Sequence, residues 1–278
     1  MTVISSLRRL RHGRLSPLGL LWTGLGSAYR AALAVSPFPT AVTMPIGPYG
    51  PFRLDGRFAF SNFENWGSGR NVGFQACIEL CAGATCVLDV GAHIGLISLP
   101  ASRVLAKDGM VFAFEPAKIN RELLERHVLL NGARNIEVIE DLVGDTDSEN
   151  VPFYEQRTDS GLNSVTPAGG RSGFVKTTKR QRALDSFCKS RGIRPDVIKI
   201  DVEGAEIGVL RGARDTISQC RPVLVLSVHP NQIAQLGHDA DELGNLLDEF
   251  GYECRTADGQ ASPPREPTEY IVRPRPGA

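Results

Sequence analysis

Val87-Leu-Asp-Val-Gly-Ala-His-Ile-Gly95 is the stretch that decides the fold. An apolar run, Cys86 to Val90, meets an acid and then two glycines in a G-x-x-x-G spacing. Beyond it, Ile94 to Ala106 reads as helix. A short buried strand that turns through glycine into a helix is the opening unit of a parallel sheet. Gly91 lets the backbone bend sharply and approach a ligand without a Cβ in the way. Gly95 lets the helix start close to the strand. In an open α/β sheet, nucleotide-like ligands sit beyond the carboxyl end of this first strand. Asp89 can orient the loop or reach a cationic end of such a ligand. His93 is a turn or cofactor-contact residue rather than a base.

The same alternation continues outward. Met110 to Phe114 is the next strand, Ala117 to Asn131 an amphipathic helix stopped by Gly132, and Ile136 to Ile139 a third strand. Arg182 to Arg191 is helical, Val197 to Ile200 a fourth strand, Glu206 to Gln219 a helix, and Val223 to Val228 a fifth strand. Ala240 to Phe250 is helical, and Tyr252 to Thr256 with Glu269 to Arg273 form an antiparallel edge. The fold class is therefore α/β, a doubly wound, mostly parallel sheet with helices on both faces. Residues 61–274 form this domain. Residues 151–178, polar and glycine-rich, are an inserted hairpin or flap. Residues 1–60 are a basic arm followed by a hairpin, whose turn is placed at Asp55-Gly56 between apolar residues.

The spacing of the glycine turn selects among cofactors. Dinucleotide folds use G-x-G-x-x-G, with a helix N-terminus on a pyrophosphate. Here an acid precedes a wider spacing, which suits a ligand without phosphate that carries an ammonium and a sulfonium: S-adenosylmethionine. Glu115 ends the second strand, twenty positions after Gly95, where an acid can accept both ribose hydroxyls. Asp141, past the third strand, is placed to meet the adenine edge, although Glu140 beside it has equal chemistry.

Ile198-Lys-Ile-Asp-Val-Glu-Gly-Ala-Glu206 ends a buried strand in Asp201, followed by Glu203 and Glu206. Three carboxylates over one cleft need partners: a metal, a substrate hydroxyl, the cofactor ammonium, Lys199 or Arg211. Asp201 is the first choice for a catalytic group, while Glu206 opens a helix whose dipole favours an acid. His229, after the fifth strand, is a second catalytic candidate, since imidazole can take a hydroxyl proton or cap its own loop.

The segments CVLDVGAHIGLIS, VFAFEP, LDSF, VIKIDVEGAEIGVLRGA and PVLVLSVHP, in this order from about Asn71 to Pro230, resemble the FkbM family of methyltransferases. The resemblance implies a seven-stranded Rossmann-like sheet, S-adenosyl-L-methionine as methyl donor, and O-methylation of a sugar, glycolipid or polyketide-type metabolite. It places Asp89, Gly91, Gly95 and Glu115 on cofactor-binding positions and Asp201 on the acid of the family's D-x-E-G segment. Two positions depart from the family pattern: His93 stands where asparagine is usual, and Ser227 where an acid is common. A nicotinamide-dependent oxidoreductase and a non-catalytic, methyltransferase-like binding protein are the rival classes. The turn spacing and the absence of a clear Tyr-x-x-x-Lys pair argue against the first.

Composition narrows the partners. Lysine plus arginine (31) equal aspartate plus glutamate (31), which gives no reason to expect nucleic acid. Six cysteines without a C-x-x-C pair argue against a zinc site and for buried, reduced thiols in a cytoplasmic protein. No metal is assigned, although Mg²⁺ on Asp201 and Glu203 is a possible way to acidify a hydroxyl. Six arginines precede the first acid, Asp55. Leu15 to Ala34 is apolar in patches but interrupted by Pro17, three glycines and Arg30, too broken for a spanning helix. Open readings of this arm are a transit peptide, peripheral membrane contact, and packing on the domain or on a second copy in a homodimer.

Overall fold

The structure, a computed structural model, describes residues 40–68, 71–156, 158–159, 161–165 and 173–277, together with residues 22 and 24–26. Most of the basic arm lies outside the described residues. Among those described, no helix is long and apolar enough to cross a membrane.

The decisive stretch is strand β3 (Cys86–Val90), whose five residues are all buried, as a central parallel strand requires. It pairs in parallel with β4 (Met110–Phe114) on one side and β9 (Val197–Ile200) on the other. Beyond β4 lies β5 (Ile136–Ile139), and beyond β9 lies β10 (Val223–Ser227). β11 (Tyr252–Thr256) and β12 (Glu269–Pro274) complete the sheet, β12 running antiparallel between β11 and β10. The order β11-β12-β10-β9-β3-β4-β5 is a mostly parallel seven-stranded sheet, as expected. Separate apolar clusters cover its two faces. Leu88, Phe114, Ile198 and Leu226 pack on one side, and Val87, Ala113, Val197 and Val225 on the other. Strand order reverses between β3 and β9, so the crevice for a ligand opens at their carboxyl ends.

Helix α1 (Gly73–Leu80) precedes β3, and α3 (Lys118–Asn131) follows β4 and ends on Gly132 at φ 60°. Two predicted helices are shorter than expected. Ile94 to Ala106 contributes only α2 (Ser98–Ser102), because the turn extends through Gly95 at φ 91°. Glu206 to Gln219 is two helices, α5 (Glu206–Arg211) and α6 (Arg214–Cys220). The break is at Gly212, where a Cβ would stand 2.0 Å from the Gly144 carbonyl oxygen.

The hairpin before the domain is real, but its turn is not at Asp55-Gly56. β1 (Ala41–Ile46) and β2 (Tyr49–Asp55) pair antiparallel around Gly47-Pro48. Gly47, at φ 54°, takes the positive-φ position of a tight primed turn. Asp55 instead caps a short 3₁₀ turn, accepting from the Arg57 N–H, and pairs with Arg126 of α3 at 2.8 Å. The polar insertion is built of β7 (Ser148–Gln156) and β8 (Phe174–Arg182), antiparallel to one another, with the short β6 (Leu142–Val143) alongside.

Candidate active site

A cleft of about 390 Å³ opens at the carboxyl ends of β3, β4, β9 and β10. Gly91, His93, Glu115, Asp141 and Asp201, five of the residues predicted from sequence, line it together.

Gly91 sits at φ 80°, and a Cβ there would lie 1.9 Å from the main-chain oxygen of Asp201. The turn is thus wedged against the neighbouring strand end. His93 also has positive φ (51°), a conformation that His and Asn tolerate better than most residues. Its N–H donates to Glu115 Oε2 at 2.8 Å, and the Ala117 N–H donates to Oε1 at 2.9 Å. The Asn120 side chain hydrogen-bonds the same carboxyl. Burial pushes the Glu115 carboxyl up to about 7, against these two backbone donors and the charge of Lys199, which pull it down. Burial, the largest influence, lowers His93 to about 4, so its ring is neutral near pH 7.

Asp89 and Gly95 stand behind the turn. Asp89 is fully buried, accepts from Ser98 Oγ at 2.5 Å and faces Lys199 Nζ at 3.4 Å. It holds the turn from inside rather than meeting a ligand. Gly95 admits Leu124 of α3, whose Cδ1 would be 2.6 Å from an added Cβ. Asp141 lies on the cleft wall, but its carboxylate is committed to Arg180 at 2.6 Å and Arg182 at 3.3 Å, both from β8.

Sequence reasoning named Lys199 only as one possible partner of the carboxylates. It is a buried cation in the middle of a four-residue apolar strand, and that demand for partners was the available signal. Its ammonium donates to the Gly91 carbonyl at 2.9 Å and lies 3.5 Å from Asp201 Oδ2. Burial alone would lower its pKa, yet Asp89 and Asp201 outweigh that and raise it. Lys199→Met is expected to destabilise the protein by about 3–5 kcal/mol, because it strands a buried carboxylate at Asp89. Denaturant unfolding checks this, and a change below about 1 kcal/mol would contradict it. The other suggested partner, Arg211, pairs away from the cleft with Glu242.

Behind the cleft-lining Asp201 and Glu203, His229 Nδ1 is 2.7 Å from Oε1 of the fully buried Glu206, which also accepts from the Gly204 N–H. His229 Nε2 faces Asp201 Oδ1 at 3.7 Å and Glu203 Oε1 at 3.6 Å. Burial pulls this imidazole down, but the Glu206 hydrogen bond and the charges of Asp201 and Glu203 prevail and lift it to about 9. His229 therefore carries its proton near pH 7, as a donor rather than a base. Glu206 opens α5, as expected, and in addition fixes this ring. From the insertion, Ser164 Oγ donates to the Glu203 carbonyl at 2.8 Å, Asn163 lines the cleft and Asp159 is exposed. Glu269 of β12, which the sequence did not single out, lines the same cleft.

Residues 89–254 match the methyltransferase FkbM domain. The chain belongs to the FkbM methyltransferase family. The matched domain is that of a methyltransferase. It is also 31% identical, over 202 residues, to the AMB antimetabolite synthetase AmbE of Pseudomonas aeruginosa. That match covers 60% of this chain and only 9% of the synthetase. Among solved structures, the FkbM methyltransferase of Methylobacillus flagellatus is 19% identical with a TM-score of 0.46, over 78% of this chain and 54% of that one. TYW2 of M. jannaschii, solved in complex with AdoMet, is 14% identical with a TM-score of 0.41, over 86% of each chain.

The cleft of this FkbM-family chain fits S-adenosylmethionine, the donor expected from the sequence, chemically. Glu115 offers a cleft-facing carboxyl that can accept from a ribose hydroxyl. The carboxylates of Glu115, Asp201, Glu203 and Glu269 outnumber the Lys199 ammonium, which favours a sulfonium and an ammonium over a diphosphate. The Glu115 carboxyl gives a pH test. Its raised pKa contributes stability that is full below about 4.5 and lost as pH rises through about 7. A ribose hydroxyl would donate to the ionised form, so donor affinity is expected to climb over the same window. Melting curves from pH 5.5 to 8.5 should show the donor-induced Tm gain growing with pH, and Glu115→Gln should flatten it. A pH-independent gain in the native protein would contradict the assignment.

Proposed function

We propose that this enzyme transfers the methyl group to a hydroxyl of a sugar or similar polyhydroxylated metabolite, giving a methyl ether. The observation that carries this reading is the grouping of Asp201, Glu203 and His229 at the carboxyl ends of β9 and β10. When bound, S-adenosylmethionine supplies an electrophilic methyl group on a sulfonium. The chain's own work is to align and desolvate the acceptor.

An amine among these carboxylates would be held as an ammonium, with no lone pair to attack. A hydroxyl instead donates its proton toward a carboxylate and turns a lone pair to the methyl. Asp201, 38% exposed in its side chain, is the acid that can reach such a hydroxyl, orient it and draw its proton. His229, charged and pinned by Glu206, positions that group. Trp66, Phe74 and Phe153 offer apolar faces in the cleft, while Asn71, Asn163 and Glu269 offer hydrogen bonds. That mixture suits a ring with hydroxyls on its rim. The similarity to part of an antimetabolite synthetase is compatible with a small-metabolite acceptor.

The test is product chemistry. Incubation with isotopically labelled donor and a panel of glycosides, polyols and hydroxylated polyketides should give a methyl group that survives mild base, as an ether does. A base-labile ester or an N-methyl product would contradict the reading.

A further inference from the structure

We infer that Asp201, Glu203 and His229 form a binding site for one divalent first-row cation such as Mn²⁺ or Zn²⁺. The inference rests on the hydroxyl-acceptor reading for its purpose, but not for its geometry. One ligand atom from each residue falls within 4.8 Å of the others. His229 Nε2 lies 3.6 Å from Glu203 Oε1 and 3.7 Å from Asp201 Oδ1. Those gaps exceed the 2.7–3.2 Å or so of an N–H···O hydrogen bond. They are close to the roughly 3.4 Å that separates ligand atoms around an ion bound at about 2.1 Å in tetrahedral geometry.

A second observation lies behind the ring. Glu206 is fully buried and holds His229 Nδ1 at 2.7 Å, which turns Nε2 toward the two carboxylates. A carboxylate behind a ligating imidazole fixes its tautomer and orientation, the arrangement found at metal-bound histidines. The other Glu206 oxygen, Oε2, is buried without a hydrogen-bond partner among the described residues, so this corner holds more negative charge than its neighbours satisfy. An ion there would take the place of the Nε2 proton. All three ligands are half-buried, which leaves coordination positions open to the cleft. An acceptor hydroxyl bound at one of them would be polarised and held opposite the methyl.

The experiment is calorimetric titration of the chelator-treated full chain with Mn²⁺, Zn²⁺ and Mg²⁺, without donor or acceptor. One Mn²⁺ or Zn²⁺ per chain is expected. Affinity should fall at least tenfold in Glu203→Gln and in His229→Gln. It should fall roughly 10–100-fold in Glu206→Gln, a residue that does not touch the ion. A native circular-dichroism spectrum of each variant shows that it is folded. Absence of binding, or equal affinity in Glu203→Gln and His229→Gln, would overturn the site. The two readings fail separately. Chelated enzyme that binds no ion yet makes methyl ethers at full rate removes the ion and keeps the reaction. A bound ion beside an N-methyl product does the reverse.

Discussion

Asp201→Asn is expected to lower kcat by roughly 10²–10⁴-fold, the range supplied by a positioned acid–base group. The change keeps the shape of the side chain and removes its charge. Asp201 sits at the end of β9 with its carboxylate partly open to the cleft, facing Lys199 on one side and His229 on the other. The lysine keeps Asp89 as counter-charge, so the interior of the turn stays paired. Donor affinity should therefore change by no more than about threefold, because Glu115 and the glycine turn are untouched. Single-turnover measurement with labelled donor separates the two quantities. A near-native rate would take Asp201 out of the chemistry, and a parallel loss of affinity would make it a structural residue of the donor site.

Gly91→Ala is the second large effect. A methyl group at this position meets the main-chain oxygen of Asp201 at 1.9 Å, and the residue would also have to hold φ 80°. Neither obstacle can be relieved by rotating a side chain, since the neighbour is backbone. The turn and the end of β9 must part. That breaks the 2.9 Å bond from Lys199 to the Gly91 carbonyl and displaces His93, whose N–H orients Glu115. Loss of measurable donor binding is expected, along with several kcal/mol of stability, in line with strain at a special φ/ψ position. The contact with Asp201 makes the fold itself part of the cost. Calorimetry and chemical denaturation check the two halves, and native values of both would refute the wedge.

How much of this was legible beforehand depended on distance along the chain. The buried strand, the positive-φ glycine at 91 and the acid at 115 are local signals, and they lie where the pattern put them. The Asp55-Gly56 turn was misplaced because two candidate turns stood eight residues apart, and only strand pairing selects Gly47-Pro48. The break at Gly212 depends on Gly144, a contact between distant segments. The pairing of Asp141 with Arg180 and Arg182 of β8, some forty residues on, is likewise invisible in a linear motif. Asp89 looks ligand-facing in a linear motif, but Ser98 and Lys199 enclose it. The state of His229 follows from three carboxylates that the sequence lists without showing which way they turn.

The cleft at the ends of β3 and β4 is expected to grip the donor through Glu115. The most direct test is titration of S-adenosylmethionine into the native chain and into Glu115→Ala at pH 8, where the carboxylate is ionised. Saturable one-to-one binding by the native chain and at least a tenfold weaker affinity in the variant are expected. Equal affinities, or no binding by the native chain, would contradict it.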